Sequence, residues 1–122
     1  NTISLGGLLE NMDSGVALLE MGETIRLIYV SPSFCRVLGV EAEHFPLPRP
    51  LAQIIHPDDW PHLEQILRQG AAQGGHIQHT HRISPDGKAW FWWQIRASRI
   101  EYNNPYPVML VTTTDVSPLQ GE

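Results

Sequence analysis

His76, His79 and His81 fall within one run of alternating residues, and their spacing is the chain's clearest opening for binding chemistry. Side chains in a strand alternate between faces, so His79 and His81 share a face with Ile77 and Ile83, which is expected to point inward. Two imidazoles two residues apart on one face can hold a metal or hydrogen-bond a polar ligand. No third ligand occurs at a recognisable spacing, so no metal site is assigned. A polar role in a pocket and ordinary packing both stay open. His62 falls about one turn into a helix, off its apolar face, and is expected to be exposed. His56 reads as a turn residue before that helix, and His44 lies in an irregular acidic stretch.

Other reactive groups point to no catalysis. The single cysteine, Cys35, excludes an internal disulfide and any Cys-rich zinc site, and a reducing, cytoplasmic setting suits it. Its simplest role is a small packed thiol. The serines sit in caps, turns and strand ends, with no Gly-Xaa-Ser-Xaa-Gly elbow. Gly74-Gly75 reads as a helix stop rather than a phosphate loop. Asp58-Asp59 is better suited to capping a helix than to acid–base work, because adjacent helical residues do not face each other.

The elements that must position these residues are set by patterning. The chain has 122 residues, enough for one ordinary domain, with 42% apolar and 17% charged residues. Thirteen acidic against eight basic residues give a net charge of −5. No basic stripe suits nucleic acid. No apolar run approaches the ~20 residues of a membrane helix, and no signal-peptide pattern opens the chain, so a soluble chain is expected. It opens on Asn1 rather than Met, and a segment of a longer protein is expected.

Ile3, Leu5, Leu8, Leu9 and Met12 predict an amphipathic helix over residues 1–14. Val16 to Met21 and Ile25 to Val30 predict a hairpin turning at Gly22-Glu23. Pro32 to Gly39 predicts a short helix capped by Ser31 or Ser33, and an irregular Pro-rich stretch comes after it. Trp60, Leu63, Ile66, Leu67 and Ala71 line one face of the longest helix, which ends near Gly74-Gly75. His76 to Ser84, Ala89 to Tyr102 and Val108 to Thr114 then predict three strands. Pro85-Asp86-Gly87 turns the first pair: Pro presets φ, Asp bonds its own backbone and Gly accepts positive φ. Phe91, Trp93, Ile95 and Ala97 alternate with Trp90, Trp92, Gln94 and Arg96, so both faces of that strand carry large rings. One is expected to be core; the other needs the N-terminal helix or a second subunit as cover. The order predicts an α+β fold, a five-stranded antiparallel sheet with helices packed on one face.

In this order the residues resemble the PAS family, in the subgroup carrying a PAC segment. Tyr29-Val30-Ser31-Pro32-Ser33-Phe34 with the later Leu38-Gly39-Val40 is similar to the family's Tyr-Val-Asn-Pro-Ala-Phe and Leu-Gly-Tyr, with Ser31 for Asn and Val40 for Tyr. His56-Pro57-Asp58-Asp59 resembles the entry to the longer helix. Arg82, Asp86-Gly87 and Trp90 match the hairpin, and Asp115-Val116-Ser117 resembles the closing Asp-Ile-Thr. The resemblance spans about residues 8–117 and implies a bacterial-type sensory module over 15–117, with a linker starting at 118–122.

That resemblance implies a non-catalytic module that binds a small ligand or partner in a pocket between sheet and helices. It would regulate an attached output domain such as a histidine kinase of a two-component system or a cyclic-dinucleotide enzyme. The expected pocket residues are Phe34, Leu38, Ile55, Leu63, Ile77, His79, His81 and Trp93, with Asp115 and Ser117 coupling the last strand to the output domain. A homodimer is expected, and a ligand-free dimerisation module is the alternative. A heme or flavin sensor is the third reading and is disfavoured. Cys35 lies directly after the second strand, not on the later helix that carries the reactive cysteine of flavin-binding relatives. His62 sits on the element that supplies an axial imidazole in heme-binding relatives, but off its apolar face.

Overall fold

Pro85-Asp86-Gly87 forms the turn its composition predicts. Asp86 Oδ1 accepts from the backbone N–H of Lys88 at 2.8 Å and of Ala89 at 3.3 Å. Ser84 Oγ accepts from the N–H of Gly87 at 2.8 Å, and Gly87 takes a φ of 76°, where a Cβ would be strained. These backbone donors, with the Ser84 hydroxyl, hold the Asp86 carboxyl below its usual pKa.

The computed structural model describes residues 14–117. Apart from Ser14, the helix expected over 1–14 lies outside the described residues, as does the linker expected over 118–122. The strands are β1 (Gly15–Met21), β2 (Ile25–Val30), β3 (Arg49–Pro50), β4 (His76–Ile83), β5 (Phe91–Ile100) and β6 (Val108–Asp115). They form one antiparallel sheet in the order β3-β2-β1-β6-β5-β4. The last strand thus joins the two hairpins, with Ala17 paired to Val111 and Val111 to Ala97. Five strands were expected. The sixth is the two-residue β3 on the edge of β2, inside the Pro-rich stretch, where short pairing carries no hydrophobic alternation.

Helices α1 (Pro32–Leu38) and α2 (Trp60–Gln73) cover the inner face, α1 against β1 and α2 against β4 and β5. At seven residues α1 depends on its ends. Ser31 Oγ accepts from the N–H of Phe34 at 3.2 Å and of Val16 at 3.0 Å, so one hydroxyl both caps the helix and ties it to β1. Gly15 permits that approach, since a Cβ there would lie 2.7 Å from the Phe34 Cα. On α2, Leu63 and Leu67 are fully buried, each worth roughly 1.5–3 kcal/mol by area. Trp60 and Ile66, on the same predicted face, are only half-buried. Among the described residues no helix is long and apolar enough to cross a membrane.

Asp59 corrects an expectation. It occupies the N-cap position of α2 but makes no side-chain capping bond. Its carboxylate instead accepts from Arg82, from the backbone N–H and Nε through Oδ2 at 2.9 and 3.0 Å and from Nη2 through Oδ1 at 2.9 Å. A two-pronged guanidinium outcompetes a single backbone donor for the carboxylate.

Candidate functional site

Between the sheet and the helices lies a cavity of about 20 Å³, room for a single water. Aromatic packing makes it small. Trp93 is fully buried and meets Phe34 edge-on at 5.2 Å, and Phe34 in turn meets Phe45 at 5.8 Å. Of the eight residues expected around a pocket, Phe34, Ile55, Leu63, His81 and Trp93 line this cavity, and Leu38, Ile77 and His79 do not. Leu38 is buried in the core at the far end of α1. Ile77 packs under α2, where a Cβ on Gly70 would lie 2.9 Å from its Cγ2. His79 is half-buried on the inward face of β4, outside the cavity. Strand alternation is too coarse to separate these positions, because the path of α2 over β4 decides which inward residues reach the centre.

Thr113 lines the cavity and was not anticipated. Its signal was available: alternation on β6 places Thr113 on the inward face with Val111, and its Oγ1 accepts from the Gly15 N–H at 3.0 Å. The cavity wall is otherwise apolar except for His81 and Trp93. Among the described residues, the indole Nε1 of Trp93 is the one buried side-chain donor without a hydrogen-bond partner. Leaving such a donor unpaired costs about 1–3 kcal/mol.

His81 also faces away from the cavity. Its Nδ1 lies 3.0 Å from the Nδ1 of His79, and the Nε2 of His79 lies 3.2 Å from the Nδ1 of His62. His62 is exposed, as its position off the apolar face predicts, but it is joined to the β4 histidines. That link depends on how α2 crosses β4 and has no local sequence signal. Burial, then the neighbouring His79 charge, lowers the pKa of His81 to about 4, against a smaller opposing effect of Asp59. Burial, then His62, also lowers that of His79. Arg82 holds the Asp59 carboxyl below the usual carboxylate range. Among the described residues no group of three or more metal-ligating side chains converges on one point.

The remaining candidates fall into place around this core. Cys35 is buried and its thiol pKa is raised by burial, the opposite of a reactive thiolate. His56 Nδ1 accepts from the Asp58 N–H at 3.1 Å, as a turn residue should, and its ring lies 4.7 Å from that of Trp90. Trp92, on the outer face, is half-buried, with the Arg82 guanidinium 5.1 Å above its ring. At about 20 Å³ the inner cavity is far smaller than cofactor sites, which run to roughly 300–1,000 Å³. Asp115 and Ser117 clip the end of β6 to β5: Asp115 Oδ1 accepts from the Ser117 N–H at 2.8 Å, and Ser117 Oγ accepts from the Trp92 N–H at 2.9 Å. Trp92 adjoins Trp93, so the clip is one residue from the cavity wall.

Solved structures share this arrangement at low sequence identity. The PAS domain of a protein from Colwellia psychrerythraea superposes with a TM-score of 0.73 at 14% identity, over 90% of this chain and 92% of that one. A sensory box histidine kinase/response regulator from Burkholderia thailandensis gives a TM-score of 0.67 at 22% identity, over 88% of this chain and 80% of that one. An RNA-binding light-oxygen-voltage receptor gives 0.73 at 17% identity over 93% of this chain, which spans 32% of the receptor. No curated protein matches in sequence. A family model described as the PAS fold matches residues 27–114, which runs from β2 through the histidine strand to the end of β6. With that match and this sheet order, the chain belongs to the PAS fold family.

Proposed function

We propose that the chain is a non-catalytic sensory module that receives its input at the inner cavity and regulates an attached output domain, such as a histidine kinase or a cyclic-dinucleotide enzyme. The observation that carries this reading is an inner cavity between sheet and helices, lined by His81, Trp93 and Thr113 among apolar residues. A small, mostly apolar wall favours a small ligand. Phe34, Ile55 and Leu63 are among the apolar residues of that wall. Leu38, Ile77 and His79 support it from outside, entering contact only with a ligand large enough to displace the aromatic packing. Asp115 and Ser117 are the coupling residues, because their clip ends on Trp92, next to Trp93. The domain spans residues 15–117, works in the cytoplasm and acts as a homodimer. Removing residues 15–117 in frame from the full-length protein is expected to change the output rate severalfold. An unchanged rate contradicts the regulatory role.

The cavity volume favours a second reading, a ligand-free dimerisation module whose core is filled by its own side chains. Mass spectrometry of material released on denaturing the purified domain separates the two. A stoichiometric small molecule supports the ligand reading, and nothing released supports the scaffold.

A further inference from the structure

His81, His79 and His62 form one chain from the cavity wall to the exposed surface of α2, through contacts of 3.0 and 3.2 Å. In each contact one nitrogen donates and the other accepts, so each holds one proton. Two further proton positions are the terminal nitrogens, His81 Nε2 at the inner end and His62 Nε2 at the outer end. Three neutral rings carry three protons. Two fill the contacts, and the third sits at one end, leaving the other end bare. A fourth proton fills both ends.

We propose that this chain is a proton-binding input site, in which a proton taken up from solvent at His62 holds His81 at the cavity wall in its Nε2–H form. The balance is one proton gained and no other bond changed. Charged His62 must donate through Nδ1 to His79 Nε2; His79 then donates through Nδ1 to His81 Nδ1, which leaves the His81 proton on Nε2. The neutral chain can instead present a bare Nε2, an acceptor, at the same place. Uptake therefore excludes the form of His81 with a bare Nε2.

The surroundings disfavour charge on the two inner rings. Burial lowers the pKa values of His79 and His81, whereas His62 is exposed. From α2 the facing group is His62, and from the residue before that helix Asp59, whose carboxylate is bound to Arg82 of β4. From β5 the residues opposite His79 and His81 are Ile95 and Trp93, and from β6 the cavity receives Thr113, none of them charged.

The consequence for signalling rests on the reading that the cavity is where input is received; the proton chain itself does not. Imidazole nitrogen NMR of the domain and of His62→Gln, titrated from pH 8 to 5, tests it. Gln can keep a hydrogen bond to His79 but cannot titrate. In the unmodified chain, His81 Nε2 is expected to shift to the protonated range and Nδ1 to the bare range as His62 charges, with His81 still neutral. His62→Gln should abolish that shift. A His81 tautomer that is constant throughout, or that shifts equally in both proteins, overturns the proposal. An unchanged output rate after removing residues 15–117 would leave this titration intact, so the two readings fail separately.

Discussion

α1 is joined to the sheet by apolar packing and hydroxyl hydrogen bonds, whereas α2 adds ionisable groups to its apolar packing against β4. On the first side stand Phe34 against Trp93 and Ser31 bonded to Val16 and Phe34. On the second stand the Asp59–Arg82 pair and the three-histidine chain. Both seams close the same cavity. One is indifferent to pH and the other is not, so an input carried by protons can act on one wall of the core while the opposite wall holds the fold.

The largest expected effect breaks the apolar side. Phe34→Ala removes the ring that meets both Phe45 and Trp93 and should cost about 3–5 kcal/mol in urea unfolding. The loss should be the same at pH 8 and at pH 5.5. A loss that grew markedly in acid would show that the α1 seam also titrates.

Next is acid acting on the other side. His81 has a pKa of about 4 when folded and about 6.5 when unfolded, so its contribution is full above the unfolded value and is lost as pH falls towards the folded one. Between pH 8 and 5 the unmodified domain should lose about 2 kcal/mol of stability. In His81→Phe most of that slope should vanish, as denaturant midpoints measured across the range would show. An equal slope in the variant would place the acid sensitivity elsewhere.

The smallest effect is expected from Asp59→Asn, about 1 kcal/mol at neutral pH, because solvent screens a pair whose side chains keep 18% and 28% of their exposure. Asp59 has a lowered carboxyl pKa, so its contribution is full above 3.8 and is lost only as pH falls below that. Chemical denaturation at pH 7 and pH 3 should therefore show the variant's deficit shrinking at the lower pH.

These seams differ in how far they could be read before folding. The α1 seam was legible because its signals are local: Ser31 before Pro32, Gly39 after Leu38, and an apolar face between them. The β4–β5 hairpin was legible for the same reason, and the inward side of Ile77, His79, His81 and Ile83 came from alternation. The α2 seam was not. Asp59 and Arg82 are 23 positions apart, and the local cap signal at Asp59 concealed its partner. The His62–His79 contact depends on the rotation of α2 over the sheet, and the size of the cavity on how Phe34 and Trp93 fill it; neither leaves a pattern in the chain.

The most direct test of the contrast between the seams is residue-by-residue NMR of the domain at pH 7.5 and 5.5. Backbone amides of β4, the first turn of α2 and the start of β5, with the Trp93 indole N–H, should shift, while those of α1, β1 and β2 stay in place. Shifts spread evenly over both helices, or concentrated in α1, would contradict the account.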